Sequence, residues 1–422
     1  MTDELTAEQA EAIQPLVETN RGALIGAAGC GKTFSMKKLS DMLVSKGFRP
    51  ILCAPTHKAA KVLSVKTDRP VTTVHSTLKL VPVPNYKDGK RVLKQVGEPD
   101  LSSDSVLIVD EASMLSPMMM DVVLDNATSV IFVGDDAQLP PVGYNDPVFL
   151  QYPCGPVAKL TTIMRQAGEN PLPHVAKDWR PGGPQPKWPT QDTLGEDGGV
   201  RVMRRKDAMA QFLDEAEAHA KALGTSDEVC PALCYTNAAA NTMGFEARRR
   251  IFGNHAYTAN YLPGEMCVCV NPVIVNDEIV LPASTVVRLD SAYKMDGFRL
   301  YDEDWPAYMV NFTTEDGASM EAVAMSFNAR DALLKIAKLE AVKKMPGSQE
   351  ARQAWEEYHE IENEVLDLRS VYASTTHKSQ GSTFRNVYID QTDLMNPYAD
   401  RIRRALVYTA MTRASHIAHF MK

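Results

Sequence analysis

No uninterrupted apolar run in the 422 residues reaches the ~18 that a membrane-spanning helix requires. Positive charge is not in excess either. Lys plus Arg number 45 against 53 Asp plus Glu, a formal charge of −8. That excludes a uniformly basic nucleic-acid coat but leaves open a local basic groove. Cysteine is scarce and odd in number: Cys30, Cys53, Cys154, Cys230, Cys234, Cys267 and Cys269. A scattered, odd set argues for reduced thiols in a cytosol. Cys230-x3-Cys234 and Cys267-x-Cys269 lack zinc-knuckle spacing and lie in apolar, strand-like text, so buried thiols are expected there. The start, Met1-Thr2-Asp3-Glu4, is acidic and lacks the apolar stretch of a secretory signal. There is no collagen period, internal repeat or long low-complexity tract. With 44% hydrophobic and 23% charged residues, the chain reads as globular, with two to three domains at ~150 residues each.

The first half alternates short apolar runs with amphipathic stretches. The runs are Ala23-Leu24-Ile25, Ile51-Leu52-Cys53, Val106-Leu107-Ile108-Val109 and Val130-Ile131-Phe132-Val133. Runs apolar on both faces and rich in β-branched residues read as buried parallel strands. The stretch 32–45 between the first two reads as a helix, and the alternation predicts an α/β fold. Residues 78–96 break the rhythm. Pro82 and Pro84 precede Asp88-Gly89, a hairpin-turn signal, and Lys79, Lys87, Lys90, Arg91 and Lys94 oppose a single acid. This is a small basic hairpin inserted into the first domain. Residues 180–199 are rich in Pro and Gly and read as a loop. From 264 to about 327 short alternating runs parted by Asp296-Gly297 and Asp316-Gly317 predict a small β-barrel. Residues 328–344 and 349–368 read as helices separated by Pro346-Gly347, and α/β text resumes at Val371.

The phosphate chemistry is explicit. Gly26-Ala27-Ala28-Gly29-Cys30-Gly31-Lys32-Thr33 fits G-x-x-x-x-G-K-[ST] in full, after an apolar run and ahead of a helix. Glycines let backbone amides approach phosphate, the helix N-terminus adds a favourable dipole, Lys32 reaches the β/γ-phosphates and Thr33 ligates Mg²⁺. Asp110-Glu111 follows the run Val106–Val109. Asp110 would complete the Mg²⁺ shell and Glu111 would polarise the attacking water. These residues alone define a P-loop nucleoside triphosphatase.

Further motifs stand in order: Leu5-Thr6-x-x-Gln9, Ala54-Pro55-Thr56-His57-Lys58-Ala59-Ala60, Thr73-Val74-His75-Ser76, Asp110-Glu111-Ala112-Ser113-Met114, Gly134-Asp135-Asp136-Ala137-Gln138-Leu139-Pro140-Pro141-Val142, Leu160-Thr161-x-x-Met164-Arg165, Thr375-Thr376-His377-Lys378-Ser379-Gln380-Gly381 and Val407-Tyr408-Thr409-Ala410-Met411-Thr412-Arg413. The ordered set resembles superfamily 1 helicases of class B, the RecD and Pif type, and most closely their Dda branch. The resemblance implies two RecA-like P-loop domains with parallel sheets, a pin hairpin inserted in the first and an SH3-like β-barrel with a helical tower inserted in the second. The implied bounds are 1–77 with 101–168, hairpin 78–100, 169–263 with 371–422, and insertion 264–370. It implies ATP-driven 5′→3′ translocation on single-stranded DNA in replication, recombination or repair. ATP with Mg²⁺ is the implied cofactor pair.

Carried over by residue, Gln9 would recognise adenine and Gln138 would sense the γ-phosphate. Arg165 and Arg413 would be arginine fingers, and Phe34 and Gly381 would line the nucleotide. Gln380 and Gly381 would couple nucleotide state to the strand. Pro55, Thr56, His57, Lys58, His75, Asn237, Thr376 and His377 would follow the strand backbone. The hairpin offers Tyr86 near its turn and Val92 and Leu93 on its return strand, and Leu93 falls where the branch has an aromatic on its pin. Trp355 and Tyr358, one helical face apart at i, i+3, are candidates to dock on the hairpin. Single-stranded and fork DNA are the expected partners, with a single-strand binding protein or replication proteins beyond them, and the chain is expected to be a monomer. An RNA or RNA–DNA helicase of the same fold remains a reading, since the motifs do not report on the 2′-hydroxyl. So does a translocase that remodels protein–DNA complexes with little unwinding.

Overall fold

The computed structural model describes every residue except 1–3, 86–90, 153–154, 165–169, 276–277 and 398. In the first domain the strands are β1 (Gly22–Gly26), β2 (Arg49–Ala54), β3 (Val71–Thr73), β4 (Leu80–Pro84), β5 (Arg91–Gln95), β6 (Ser105–Val109), β7 (Val130–Gly134) and β8 (Val157–Leu160). Six of them form a parallel sheet in the order β3-β2-β6-β7-β1-β8. β1, β6 and β7 are buried along their whole length. Alternate side chains feed two cores: Leu24, Ile108 and Val133 meet the helices Ala7–Thr19 and Lys32–Ser45, while Ile25, Val109 and Phe132 meet the helix Pro117–Asn126. That is why these runs are apolar on both faces. The helix Lys32–Ser45 has the bounds that its pattern predicts, burying Met36, Leu39 and Leu43 along one stripe.

β4 and β5 pair antiparallel outside that sheet and form the inserted hairpin. Its turn, with Tyr86, Asp88 and Gly89, lies outside the described residues. The second domain starts with β9 (Thr193–Gly195), β10 (Gly198–Met203) and β11 (Ala232–Cys234). Residues 180–199, expected as a loop, therefore contain β9 and the start of β10. The aromatic Trp188 anchors that stretch, sitting 4.6 Å from Trp179 between ring centroids and packing on Phe420.

The insertion holds β12 (Met266–Cys269), β13 (Val273–Val275), β14 (Glu278–Leu281), β15 (Val286–Lys294), β16 (Arg299–Leu300), β17 (Glu303–Asp304), β18 (Ala307–Thr314), β19 (Ser319–Met325) and β20 (Leu368–Ser370). Five form an antiparallel sheet, β19-β18-β15-β12-β20. Ala324 bridges Leu366, and the Leu366 amide donates to the Val323 carbonyl at 2.8 Å, so the two edges approach one another. The helices Phe327–Lys343 and Gln349–Glu364 start on serine N-caps, Ser326 and Ser348. The second helix stops at Glu364, short of the expected 368, because Leu368–Ser370 becomes β20. The chain returns through β21 (Ala373–Thr375), β22 (Phe384–Asp390) and β23 (Ala414–Met421), completing a sheet ordered β21-β11-β22-β23-β10-β9. It is parallel except for the β9–β10 pair.

Cys234 is buried in the second domain and Cys267 and Cys269 in the insertion, in separate cores. Cys154 lies outside the described residues. No helix among the described residues is long and apolar enough to cross a membrane.

Candidate nucleotide site and strand groove

β6, β7 and β1 are neighbours and parallel, so their C-terminal ends share one sheet edge. Such edges are where open α/β sheets bind ligands. β1 releases the P-loop, β6 releases Asp110-Glu111 and β7 releases Gly134–Gln138, so three separate motifs converge. Within the P-loop Gly31 has φ +79°. A side chain there would be strained by that backbone, and its Cβ, 2.5 Å from Nε2 of Gln9, would push the Gln9 amide aside. Gln9 is buried, closes a capping box with Thr6 and donates to the Cys30 carbonyl at 3.5 Å. Lys32 Nζ donates to the carbonyls of Gly26 (2.7 Å) and Ala27 (3.1 Å). Thr33 and Phe34 lie in the first turn that follows, with Lys38 Nζ 5.5 Å from the Phe34 ring centre.

The segment leading to Arg165 rests on this loop. The Met164 amide donates to the Gly29 carbonyl at 3.0 Å. Glu8, which the sequence reading passed over, holds the segment's start: its carboxylate accepts from the Thr161 amide (2.6 Å), the Thr161 hydroxyl (2.7 Å) and the Thr162 amide (3.2 Å). Hydrogen bonds from Thr162 and Thr161 hold the Glu8 carboxyl at about 2, against an ordinary 4.5. Arg165 itself lies outside the described residues.

The paired acids are held under constraint. Glu111 has φ +50°, a left-handed backbone that non-glycine residues seldom adopt outside functional turns. The Glu111 amide donates to Asp110 Oδ1 at 2.9 Å. Burial first, and the Glu111 charge second, push Asp110 up to about 7 from 3.8. Among the described residues, Glu111 Oε2 and Gln138 Oε1 are buried oxygens with no hydrogen-bond partner. Hard, unsatisfied oxygens near a carboxyl whose negative charge burial and Glu111 disfavour leave room for a divalent cation and its water ligands to supply the missing positive charge. Thr33 and Asp110 are the residues that would hold Mg²⁺, and a cation there would favour the ionised Asp110.

The second domain grips the same edge. Gln380 Nε2 donates to the Leu139 carbonyl (3.0 Å), and the Leu139 amide donates to Thr409 Oγ1 (3.1 Å). Gly381 has φ +74°, and a Cβ there would meet the Ala59 Cβ at 3.0 Å and Thr56 Oγ1 at 3.3 Å. The Lys58 ammonium lies 4.8 Å from the Phe384 ring centre. Arg413 is buried, and its guanidinium donates to the carbonyls of Ser382 (3.0 Å) and Thr409 (3.3 Å) and to the Thr412 hydroxyl, all inside the second domain. Among the described residues, the Arg180 guanidinium, which sequence reasoning missed, reaches the P-loop through the Tyr408 hydroxyl. It pairs with Asp135 (2.9 Å) and Asp136 and donates to Tyr408 Oη (3.0 Å). No spacing rule marks it; it sits in the Pro/Gly-rich stretch.

Beyond Gln138 the same segment lines a groove of about 500 Å³ that also takes in Tyr235, Asn237, Thr375, His377 and Lys378. Asn237 is exposed at the start of its helix and Lys378 is exposed beside His377. Tyr144, on the rim, is 44% exposed. Tyr144, Tyr235 and Lys378 are additions to the expected set; Tyr235 and Lys378 could have been found beside Asn237 and His377, but Tyr144 carries no signal. Burial lowers the pKa of His377 and His57; for His75 burial acts first and His57 second. All three are therefore uncharged at neutral pH and offer hydrogen bonds rather than charge. Pro55 is half-buried beside Thr56, which caps its helix by accepting from the Ala59 amide.

Two of the expected strand contacts have partners within the chain. Thr376 is fully buried and its hydroxyl donates to the Cys234 carbonyl at 3.2 Å, so it orients the loop from beneath. Leu93 pairs with Pro82 and packs on the first domain's core; the exposed apolar side chain on that strand is Val92. Strand alternation accounts for this, since neighbours face opposite sides. The hairpin does meet the insertion. Arg91 donates to Glu362 (Nε–Oε2 3.0 Å) and to Asn363, and His359 Nδ1 lies 3.3 Å from the same Glu362 oxygen. Trp355 is buried and sits in a ring cluster with Tyr358 and His359.

A family model described as an AAA domain matches residues 4–205, and one described as a UvrD-like helicase C-terminal domain matches 370–421. The chain is 26% identical over 426 aligned residues to the ATP-dependent DNA helicase dda of Enterobacteria phage T4, covering 93% of this chain and 92% of that protein. It is 34% identical over 204 residues to the ATP-dependent RecD2 DNA helicase of Deinococcus radiodurans, covering 47% of this chain and 27% of that one. Among solved structures, a Pif1 helicase from Bacteroides in complex with ADP-AlF3 and ssDNA aligns at a TM-score of 0.49 with 16% identity, over 99% of this chain and 92% of that one.

Proposed function

From the chain's kinship with superfamily 1 class B helicases, we propose that it is an ATP-driven 5′→3′ motor on single-stranded DNA that opens duplexes at its hairpin, in replication, recombination or repair. One observation carries the reading. A single segment, 134–145, runs from the phosphate edge at Asp135 and Gln138 to the groove wall at Pro140–Asn145, and the second domain holds its middle at Leu139. A change at the phosphates is thus tied to a change at the groove.

In this reading Lys32 and the loop amides bind phosphate, and Glu111 orients the attacking water while Gln138 faces it. Arg165 and Arg413 are the proposed fingers, and a finger is worth ~10³–10⁵ in rate. Mg²⁺, when bound, neutralises phosphate charge. Asn237, His377 and Lys378 contact the strand backbone, and Tyr144 and Tyr235 are stacking platforms. Both domains of the cleft lie in one chain, so a monomer suffices. The inward-packed Leu93 favours a second reading, a translocase with weak strand separation.

The test is strand separation with ATP and Mg²⁺ on matched duplexes bearing only a 5′ or only a 3′ single-stranded tail, with Lys32→Ala as control. Opening of the 5′-tailed duplex alone, lost in Lys32→Ala, is expected. Opening of the 3′-tailed duplex alone would overturn the polarity. Strand-stimulated hydrolysis without opening would select the translocase.

A further inference from the structure

The Tyr408 hydroxyl sits where both domains and the P-loop meet. It accepts from the Ala28 amide at 3.1 Å and from Arg180 Nη1 at 3.0 Å, and it donates to Asp135 Oδ2 at 2.5 Å. A phenol has one proton and two lone pairs, so its capacity is filled. Tyr408 is 1% exposed and the Asp135 side chain 0%. The Arg180 guanidinium carbon lies 5.3 Å from the Tyr408 ring centre. One helical turn earlier, Arg404 donates to the carbonyls of Arg180 (2.7 Å), Gly183 (2.9 Å) and Pro184 (2.8 Å), fixing the loop that presents Arg180.

Loop amides are the groups that cradle a nucleotide's phosphates. Here one of them is already bonded to a side chain of the other domain. We propose that Tyr408 is a positioning residue that competes with a nucleoside triphosphate for the Ala28 amide. This inference rests on the reading of the cleft as a nucleotide site and deepens it. Because Asp135 and Arg180 hold the ring rigidly, the hydroxyl cannot follow an amide that turns to phosphate. Phosphate binding therefore removes one of the three hydrogen bonds at Tyr408 and relaxes the hold of the helix Asp400–Thr412 on the first domain. That helix also carries Thr409, the partner of Leu139, so the change reaches segment 134–145.

Tyr408→Phe deletes the hydroxyl and keeps the ring. Binding of the nonhydrolysable triphosphate AMP-PNP is measured by calorimetry for wild type, Tyr408→Phe and Lys32→Ala. Tyr408→Phe is expected to bind about 3- to 10-fold tighter, the change that a hydrogen bond of about 0.7–1.4 kcal/mol produces. A tyrosine that only supports the fold would leave affinity unchanged or lower it, and either result overturns the proposal. If wild type fails to bind AMP-PNP, or Lys32→Ala binds as well as wild type, the nucleotide-site reading itself falls.

Discussion

The contact between hairpin and insertion makes a quantitative prediction. Arg91 on β5 reaches Glu362 on the insertion helix, and the two side chains are 25% and 26% exposed. Burial tends to raise the Glu362 carboxyl, but hydrogen bonding to His359 and the Arg91 charge outweigh it and hold the group below its ordinary 4.5. A folded value below the ordinary one means that the contact is fully formed above about that pH and is lost as pH falls through the folded value. Charge-assisted hydrogen bonds are worth ~1.5–3 kcal/mol when buried, and exposed pairs ~0.2–1. Partial exposure places this pair at about 1–2 kcal/mol, a factor of about 5–30 in the docked population. If docking of the helix keeps the hairpin rigid, Arg91→Ala and Glu362→Gln each lower the duplex opened per ATP hydrolysed several-fold. Strand-stimulated hydrolysis stays within about two-fold, since the pair is remote from the P-loop. The double variant loses no more than either single one, the mark of a shared interaction. Assays on tailed duplexes, with hydrolysis measured in parallel, decide it. Unchanged opening per ATP in all three variants, or losses that add in the double, would refute the reasoning.

Three further predictions concern single side chains. Asp110→Asn should abolish ATP hydrolysis, by about two orders of magnitude or more. Because folding raises Asp110 from 3.8 to about 7, its ionisation destabilises the fold as pH rises between those values. The same variant should therefore melt at a higher temperature than wild type at pH 8 in EDTA, with a gain of ~1–3 kcal/mol, below the ~4 that three units represent. Glu8→Gln should destabilise the fold at pH 7 by less than about 1 kcal/mol, read as a small fall in melting temperature, given its solvent-facing position. Since Glu8 is depressed to about 2 from 4.5, its stabilisation is full above 4.5 and shrinks below it, so melts from pH 7 to 3 should converge. Leu93→Ala should destabilise the first domain by ~1–2 kcal/mol while Val92→Ala stays within ~0.5; equal melts would contradict the inward packing.

The candidate phosphate site was legible because its pattern is local. A P-loop needs glycines and a Lys-Thr at fixed spacing, and Asp110-Glu111 needs only a buried strand before it. The strand runs and the helix Lys32–Ser45 were legible because burial on two faces, or on one stripe, imposes a readable period. Arg180 and Tyr144 were not legible. Arg180 is held by Asp135 and Asp136, far off in the sequence, and nothing within several residues marks it; Tyr144 lies two residues beyond the motif that ends at Val142, but only the folded groove puts it on the rim. Which of Val92 and Leu93 meets the core was not legible either, because position in a hairpin does not say which face of the strand packs inward; Leu93 does. Thr376 lay in a correct motif, yet its hydroxyl turned to the Cys234 carbonyl once β11 and β21 became neighbours.

The P-loop pattern and the alternation of strand and helix are written in the sequence alone, since each follows from neighbours along the chain. Only the tertiary structure decided what closes the cleft. Tyr408, Thr409 and Gln380 meet Ala28 and Leu139 across sequence separations of 241 residues or more. A contact of that range depends on how two sheets dock, and docking is set by the summed packing of both surfaces rather than by any local pattern.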